Sequence, residues 1–197
     1  MKTIVLASAS PVRRRLLVAA GIDPIVVVST VDESTVDIAD AGALAGTLAS
    51  MKAQAVAARR PESDLVLGCD SVLEFDGEVL GKPADAAEAT RRWKAMRGRS
   101  GVLHTGHCLI EPAKSRQVSE VSSTTVYFAD IADDEIERYV ETGEPLQVAG
   151  AFTIDGVGAP FVEWIEGDHG TVVGLSMPLL RRLLAALDLS ITDLWRR

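Results

Sequence analysis

Asp70 ends the apolar run LVLGC at residues 65–69, and a carboxylate at the carboxyl end of a strand in an α/β protein stands where ligands gather. Such an aspartate also serves to cap the following turn, so its position alone leaves both roles open. Asp32 and Glu33, within STVDES at 29–34, form a second acidic candidate just beyond the apolar run IVVV at 25–28. One carboxylate on each side of a bound triphosphate suits Mg²⁺, which takes hard oxygen ligands and keeps several waters. Two lysines supply cations. Lys52 borders the apolar side of an amphipathic helix, where it either snorkels or projects its head group into a cleft. Lys82, between Gly81 and Pro83, has a stiff turn as the fixed base of a mobile side chain.

A third group of cations stands where electrostatics disfavours it. SASPVRRR, residues 8–15, reads as a strand-to-helix turn with Ser10 as N-cap and Pro11 at the first helical position. Arg13 then occupies the first turn, where the helix dipole disfavours a cation by about 0.3–1 kcal/mol unless an anion shares that terminus. A solvated arginine is the plain alternative. Arg14 and Arg15 lie about 100° and 200° further around the helix, so the three cannot converge on one phosphate. Ser8 and Ser10 offer hydroxyls at the same turn. The glycine-rich nucleotide loops GxxxxGK[ST] and GxGxxG are absent from the sequence.

Other clusters carry less. His104 and His107 of HTGH are three apart on a strand and should face opposite sides, which argues against a zinc pair. GLSMP at 174–178 is not GxSxG, and no serine–histidine spacing prompts a covalent route. Glu144, Asp155, Glu163 and Asp168 read as isolated carboxylates. Asp155, between the glycines of AGAFTIDGVG, has the most constrained setting.

The elements that must hold these groups follow from periodicity. A strand at Thr3–Ala7 leads to a helix that stops at Gly21, with Val12, Leu16 and Ala20 as its apolar stripe. A strand at 25–28 precedes a helix to about residue 60 whose apolar face is Leu44, Leu48, Met51 and Ala55. A strand at 64–73 turns at Asp76-Gly77 into 78–80. A helix to about Met96, a hairpin of 102–110 with 117–128, and a helix at 131–140 come next. Strands are expected at 161–165 and 171–175, then a final helix at 179–187. The sum is α/β with an elongated mixed sheet and flanking helices, one domain over 1–197.

The 197 residues carry 28 acidic against 20 basic side chains, a formal net charge of −8. That balance disfavours general nucleic-acid binding and leaves small phosphorylated ligands open. Two cysteines without a CxxC pair suit a reducing compartment. No 18-residue uncharged apolar stretch occurs, so the expectation is a cytoplasmic protein with no membrane segment and no secretory leader.

In their order and spacing, LASASPVRRRLL, the VDES loop, LASMKAQAVA, GCDSVL, GEVLGKPAD, HTGH, YVETGEPLQVAGAFTIDG and VVGLSMPLL resemble the Maf-like nucleotide pyrophosphatases, sometimes named for septum formation. The resemblance covers essentially the whole chain. It implies hydrolysis of nucleoside triphosphates to the monophosphate and pyrophosphate with Mg²⁺ or Mn²⁺, two lobes around a deep cleft, and a homodimer in many members. Carried over by motif, Ser8, Ser10 and Arg13 are phosphate contacts, Lys52 and Lys82 phosphate-binding cations, and Glu33 and Asp70 acidic site residues. Asp70 would serve as catalytic base, as metal ligand, or as both. Asp155 falls where members usually carry glutamine or glutamate and would contact the substrate.

Two departures stand out. Val12 occupies the place where many members have arginine after the motif proline, and Asp155 is shorter than glutamate and charged unlike glutamine. LQVAGAFTID looks closer to the branch accepting modified or cytidine-type nucleotides than to the thymidine and uridine triphosphate enzymes. The competing class is a nucleotide-binding regulator or division scaffold without turnover, which would need the cations but not Asp70.

Overall fold

The computed structural model describes residues 2–196. Its sheet is organised around two strands of unequal length. β1 (Ile4–Leu6) is fully buried, and it pairs in parallel with β2 (Ile25–Val26) on one side and with β3 (Leu65–Phe75) on the other. β3 outruns β1 and pairs antiparallel with β5 (Ser100–Glu111), which pairs with β6 (Arg116–Phe128), which pairs with edge strand β7 (Val162–Glu166). β4 (Glu78–Leu80) folds back on the end of β3. Its turn residues Asp76 and Gly77 have φ of 53° and 77°, the two left-handed positions that make Asp-Gly the favoured hairpin pair. Among the described residues the order is β2-β1-β3-β5-β6-β7, a mixed sheet as the sequence suggests.

Helix α1 (Pro11–Ala19) starts as its caps predict: Ser10 is the N-cap, Pro11 the first residue, and Gly21 follows the end with φ 81°. α2 (Ala41–Ala57) lies almost flat on one face of β3 and β5. A Cβ on Gly68 would come within 2.2 Å of the Ala49 carbonyl oxygen, and one on Gly106 within 2.1 Å of that of Ala45. So close an approach needs glycine on the sheet and alanine on the helix, which corrects the expected apolar face. Ala41, Ala45, Ala49 and Ala53 are buried with Leu48 and Val56, whereas Leu44, Met51 and Ala55 are only half-buried.

Helices α3 (Ala86–Met96) and α4 (Asp133–Glu141) pack around Trp93, whose ring meets Phe128, Tyr139 and Phe161 edge-on. The expected strand at 171–175 is instead α5 (His169–Val173). The β-branched run TVV suggested a strand, but caps at both ends decide: Asp168 accepts from the Thr171 N–H at 2.9 Å, and Gly174 closes the helix at φ 115°. α6 (Met177–Ala186) follows. No helix among the described residues is long and apolar enough to cross a membrane.

Two apolar clusters divide the long strands. One joins β1, α1, α6 and the first half of β3 through Leu65, Leu67 and Cys69; the other joins α3, α4 and the second half through Leu73 and Phe75. Asp70 and Ser71 lie at the junction.

Candidate active site

Asp70 lies midway along β3 rather than near the strand end that its sequence setting suggests, because the strand runs on to Phe75 to pair with β4. The pairing of β3 is the reason Asp70 can be reached at all. The outer edge of β3 is paired by β1 at Leu65–Leu67 and by β4 at Leu73–Phe75. Between them Gly68 to Val72 lie level with the end of β1, where the chain turns away through Ser8 into α1. The gap coincides with the change from parallel to antiparallel pairing, a switch of the kind at which α/β proteins collect ligands.

The strand alternates, so Asp70 faces α2 and Ser71 faces α1. On the α2 side, Lys52 Nζ ion-pairs with Asp70 Oδ1 and stands 2.7 Å from Glu33 Oε1. The close seating of α2 sets the height of Lys52, three residues beyond Ala49. Asp70 is 8% exposed. Burial raises its pKa, against the opposing charges of Lys52 and Arg13. A buried carboxylate whose proton affinity is raised is suited to accept a proton.

The structure separates the two acidic residues of the 29–34 loop. Asp32 Oδ1 accepts from the Ser34 amide at 3.1 Å and hydroxyl at 2.6 Å, capping the short turn Glu33–Thr35. Glu33 is thereby turned toward Lys52.

On the α1 side, Arg13 does not reach into solvent. Its Nε donates to the Gly174 carbonyl at 2.8 Å, Nη1 to Ser8 Oγ at 3.1 Å and Nη2 to Ser71 Oγ at 3.0 Å. All three acceptors are neutral, and a guanidinium has five N–H groups. One remains on each terminal nitrogen, a pair suited to a phosphate. Ser8 Oγ also accepts from the Ser10 amide at 3.1 Å, and Ser10 Oγ accepts from the Arg13 amide at 3.4 Å. Ser8, Ser10 and Arg13 therefore form one bonded turn.

Lys82 and Asp155 are placed differently. Lys82 is exposed in the turn after β4. That turn is anchored through Gly81, whose carbonyl accepts from the Gly150 amide at 3.1 Å and from Arg92 Nη1 at 2.6 Å. Lys82 follows two residues after the last β3–β4 pair, Leu73 with Leu80, on the edge of β3 that the gap leaves open. Asp155 Oδ2 lies 3.5 Å from Nη2 of Arg15, on the exposed side of α1. Arg15 is thus the partner that sequence spacing missed.

Glu144 is not the isolated carboxylate expected. It accepts from the amides of Val157 and Gly158, both at 3.0 Å, from the Thr153 hydroxyl, and from Tyr139 OH at 3.2 Å. Burial would raise its pKa, but these hydrogen bonds prevail and lower it. Glu144 fixes the loop that presents Asp155.

The two histidines do face opposite ways. His104 bonds Ser123 Oγ at 2.8 Å and Glu74 at 3.2 Å on the α2 side. His107 is buried on the other side, its pKa pushed down to about 4 chiefly by burial. Neutral, it donates from Nδ1 to the Thr105 carbonyl and accepts the Ser176 amide at Nε2, both at 2.9 Å, which pins the start of α6. Both cysteines are buried, and burial raises both thiol pKa values, Cys69 to about 12 and Cys108 to about 11. A groove of about 800 Å³ along α2 and β6, lined by Gly46, Ser50, His104 and Ser123 among others, includes none of the Asp70 cluster.

A family model described as Maf-like protein matches residues 3–187. A protein of Salinispora tropica named nucleoside triphosphate pyrophosphatase is 65% identical, the match covering 98% of this chain and 88% of the relative. Proteins of the same name from Streptomyces coelicolor and Nostoc punctiforme are 59% and 53% identical, covering 98% of this chain and 95% and 97% of their own lengths.

Proposed function

This chain belongs to the Maf-like protein family, and from that premise we propose how its site works. The protein is a nucleoside triphosphate pyrophosphatase: it hydrolyses the α–β phosphoanhydride to leave a nucleoside monophosphate and pyrophosphate. The observation that carries the mechanism is the convergence of Glu33, Lys52 and Asp70 at the open edge of β3, with Arg13 mounted beside them.

Asp70 is the general base. Its carboxylate takes a proton from the water that attacks the α-phosphorus, and its raised pKa matches that task. Arg13 offers its two remaining N–H groups to phosphate oxygens, with Ser8 and Ser10 shaping the same turn. Lys52 and the exposed Lys82 add positive charge against the departing pyrophosphate.

Glu33 and Asp70 also fit a divalent ion. Glu33 Oε1 and Asp70 Oδ1 both meet Lys52 Nζ, which leaves each carboxylate a second hard oxygen donor. Mg²⁺ is commonly held by one or two carboxylates, with waters and substrate phosphates filling its other positions. Among the described residues no three acidic, histidine or cysteine side chains form a protein-only cage, so phosphate and water would share the coordination. Bound there, Mg²⁺ or Mn²⁺ would supply charge neutralisation to the phosphates. Asp155, one of whose carboxylate oxygens is left free by Arg15, is the residue we propose to meet the base, with non-canonical nucleotides among the substrates proposed.

The test is product identity. Incubation with a panel of triphosphates and Mg²⁺ is expected to release pyrophosphate and the monophosphate in equal amounts. Release of orthophosphate alone refutes the assignment.

A further inference from the structure

Arg13 is held in place by a segment far from it in sequence, and the direction of each bond in that mount can be read. Thr105 Oγ1 donates to the Thr171 carbonyl at 2.7 Å. A carbonyl only accepts, so the single hydroxyl proton of Thr105 is committed there. The 2.9 Å contact between Ser71 Oγ and Thr105 Oγ1 must then have Ser71 as donor. With its proton turned toward Thr105, Ser71 presents a lone pair to Arg13 Nη2, which donates to it at 3.0 Å. The relay runs in one direction, from Arg13 through Ser71 and Thr105 to α5.

The far end of the relay is itself fixed. Thr171 Oγ1 donates to Asp168 Oδ2 at 3.1 Å, so the 2.6 Å contact with Ser122 has Ser122 as donor. Thr124 on β6 accepts the Asp168 amide at 3.0 Å and donates to the Asp168 carbonyl at 3.1 Å. The same short helix holds Arg13 directly through the Gly174 carbonyl. A Cβ at Gly174, whose φ is 115°, would lie 3.2 Å from Arg13 Nε. Thr105 and Thr171 are both fully buried.

We propose that Thr105 is a positioning residue for the pyrophosphatase reaction: by committing its proton to α5 it fixes the Ser71 hydroxyl, and through it the orientation in which Arg13 meets phosphate. Thr105 touches no substrate. Without the Thr105 hydroxyl, the Ser71 proton loses its acceptor, the Ser71 side chain is free to turn to another rotamer, and the lone pair that holds Nη2 is no longer fixed. The inference rests on the placement of Arg13 at the phosphates proposed above.

Thr105→Val keeps the shape and removes the relay; Thr105→Ser restores the hydroxyl. Two readouts apply: kcat and KM for a triphosphate, and the Kd of inorganic pyrophosphate by calorimetry, which needs no turnover. Thr105→Val is expected to raise KM and the pyrophosphate Kd about tenfold, the scale of one hydrogen bond to a charged group, with kcat changed less and Thr105→Ser near the parent. In an Arg13→Lys background the same change should add nothing. Parental Kd in Thr105→Val, or a full loss repeated in the Arg13→Lys background, overturns the proposal. If Thr105→Val does not fold, Ser71→Ala cuts the relay at its outer end and is judged by the same criteria. A parent protein that turns over triphosphate to pyrophosphate while Thr105→Val matches it removes only the positioning role. A parent that releases no pyrophosphate instead removes the reaction.

Discussion

Asp70→Asn separates chemistry from stability more sharply than any other single substitution here. Asparagine keeps the shape of the side chain and resembles aspartate held permanently protonated. The folded-state pKa of Asp70 is raised above its ordinary 3.8, burial being the largest cause. Its stabilising contribution is therefore full below the unfolded value and lost as the pH rises through the folded one. At neutral pH the ionised carboxylate is a burden on the fold, even with Lys52 beside it. Asp70→Asn should then unfold at the same temperature as the parent or higher at pH 7, the difference shrinking as the pH is lowered toward 4. Turnover should move the other way. Loss of a positioned general base lowers kcat by roughly 10²–10⁴-fold, and at saturating Mg²⁺ KM should not rise, because a negative charge beside a triphosphate has been removed. Initial rates of pyrophosphate release and thermal unfolding between pH 4 and 8 measure both. A kcat within tenfold of the parent, or a variant clearly less stable at pH 7, would refute the reasoning.

Three further expectations follow from the other groups at or near the site. Chelation by EDTA should abolish turnover and Mg²⁺ or Mn²⁺ restore it, and Glu33→Gln should raise the Mg²⁺ concentration needed for half-maximal rate; activity surviving complete chelation contradicts the two-carboxylate site. Glu144→Ala should destabilise by about 2 kcal/mol, or roughly 4–8 °C in Tm, and open residues 153–158 to limited proteolysis. Because the Glu144 pKa is lowered in the fold, its contribution is present above the unfolded value and lost as pH falls through the folded one, so the gap in Tm should narrow in acid. Asp155→Gln should reorder kcat/KM among UTP, dTTP, CTP, GTP and 7-methyl-GTP by roughly 5- to 150-fold, since Arg15 engages one carboxylate oxygen and the other is left to accept from a base; an unchanged order assigns Asp155 to the loop alone.

Local chemistry made most of the fold legible. Ser10, Pro11 and Gly21 act as caps and stop signals wherever they stand, and Asp76-Gly77 needs only its own backbone preferences to turn the chain. The misread elements were those decided by contact. α2 buries alanines rather than its larger residues because Gly68 and Gly106, distant in sequence, let the helix close on the sheet. Residues 171–175 became helical because Asp168 and Gly174 cap a run whose side chains, taken alone, favour a strand.

The site divides along the same line. Lys52 and Glu33 were readable as residue types on a helix border and in a loop, and Asp70 as a carboxylate in an apolar run. That Asp70 lies midway along β3 and meets Lys52 there depends on the gap in the edge of β3 and on the seating of α2. The seat of Arg13 was not readable, since its acceptors Gly174 and Ser71 lie 161 and 58 residues away. The dipole at the start of α1 does disfavour a cation, but the guanidinium has been drawn aside to the carbonyl that ends α5, where a helix dipole favours one. A helix of five residues offers only part of a full dipole, so the hydrogen-bond geometry at Gly174, Ser8 and Ser71 must do most of the holding. That leaves Arg13 hydrogen-bonded by neutral partners alone and facing Asp70 without a direct ion pair, a condition under which a phosphate gains from meeting it.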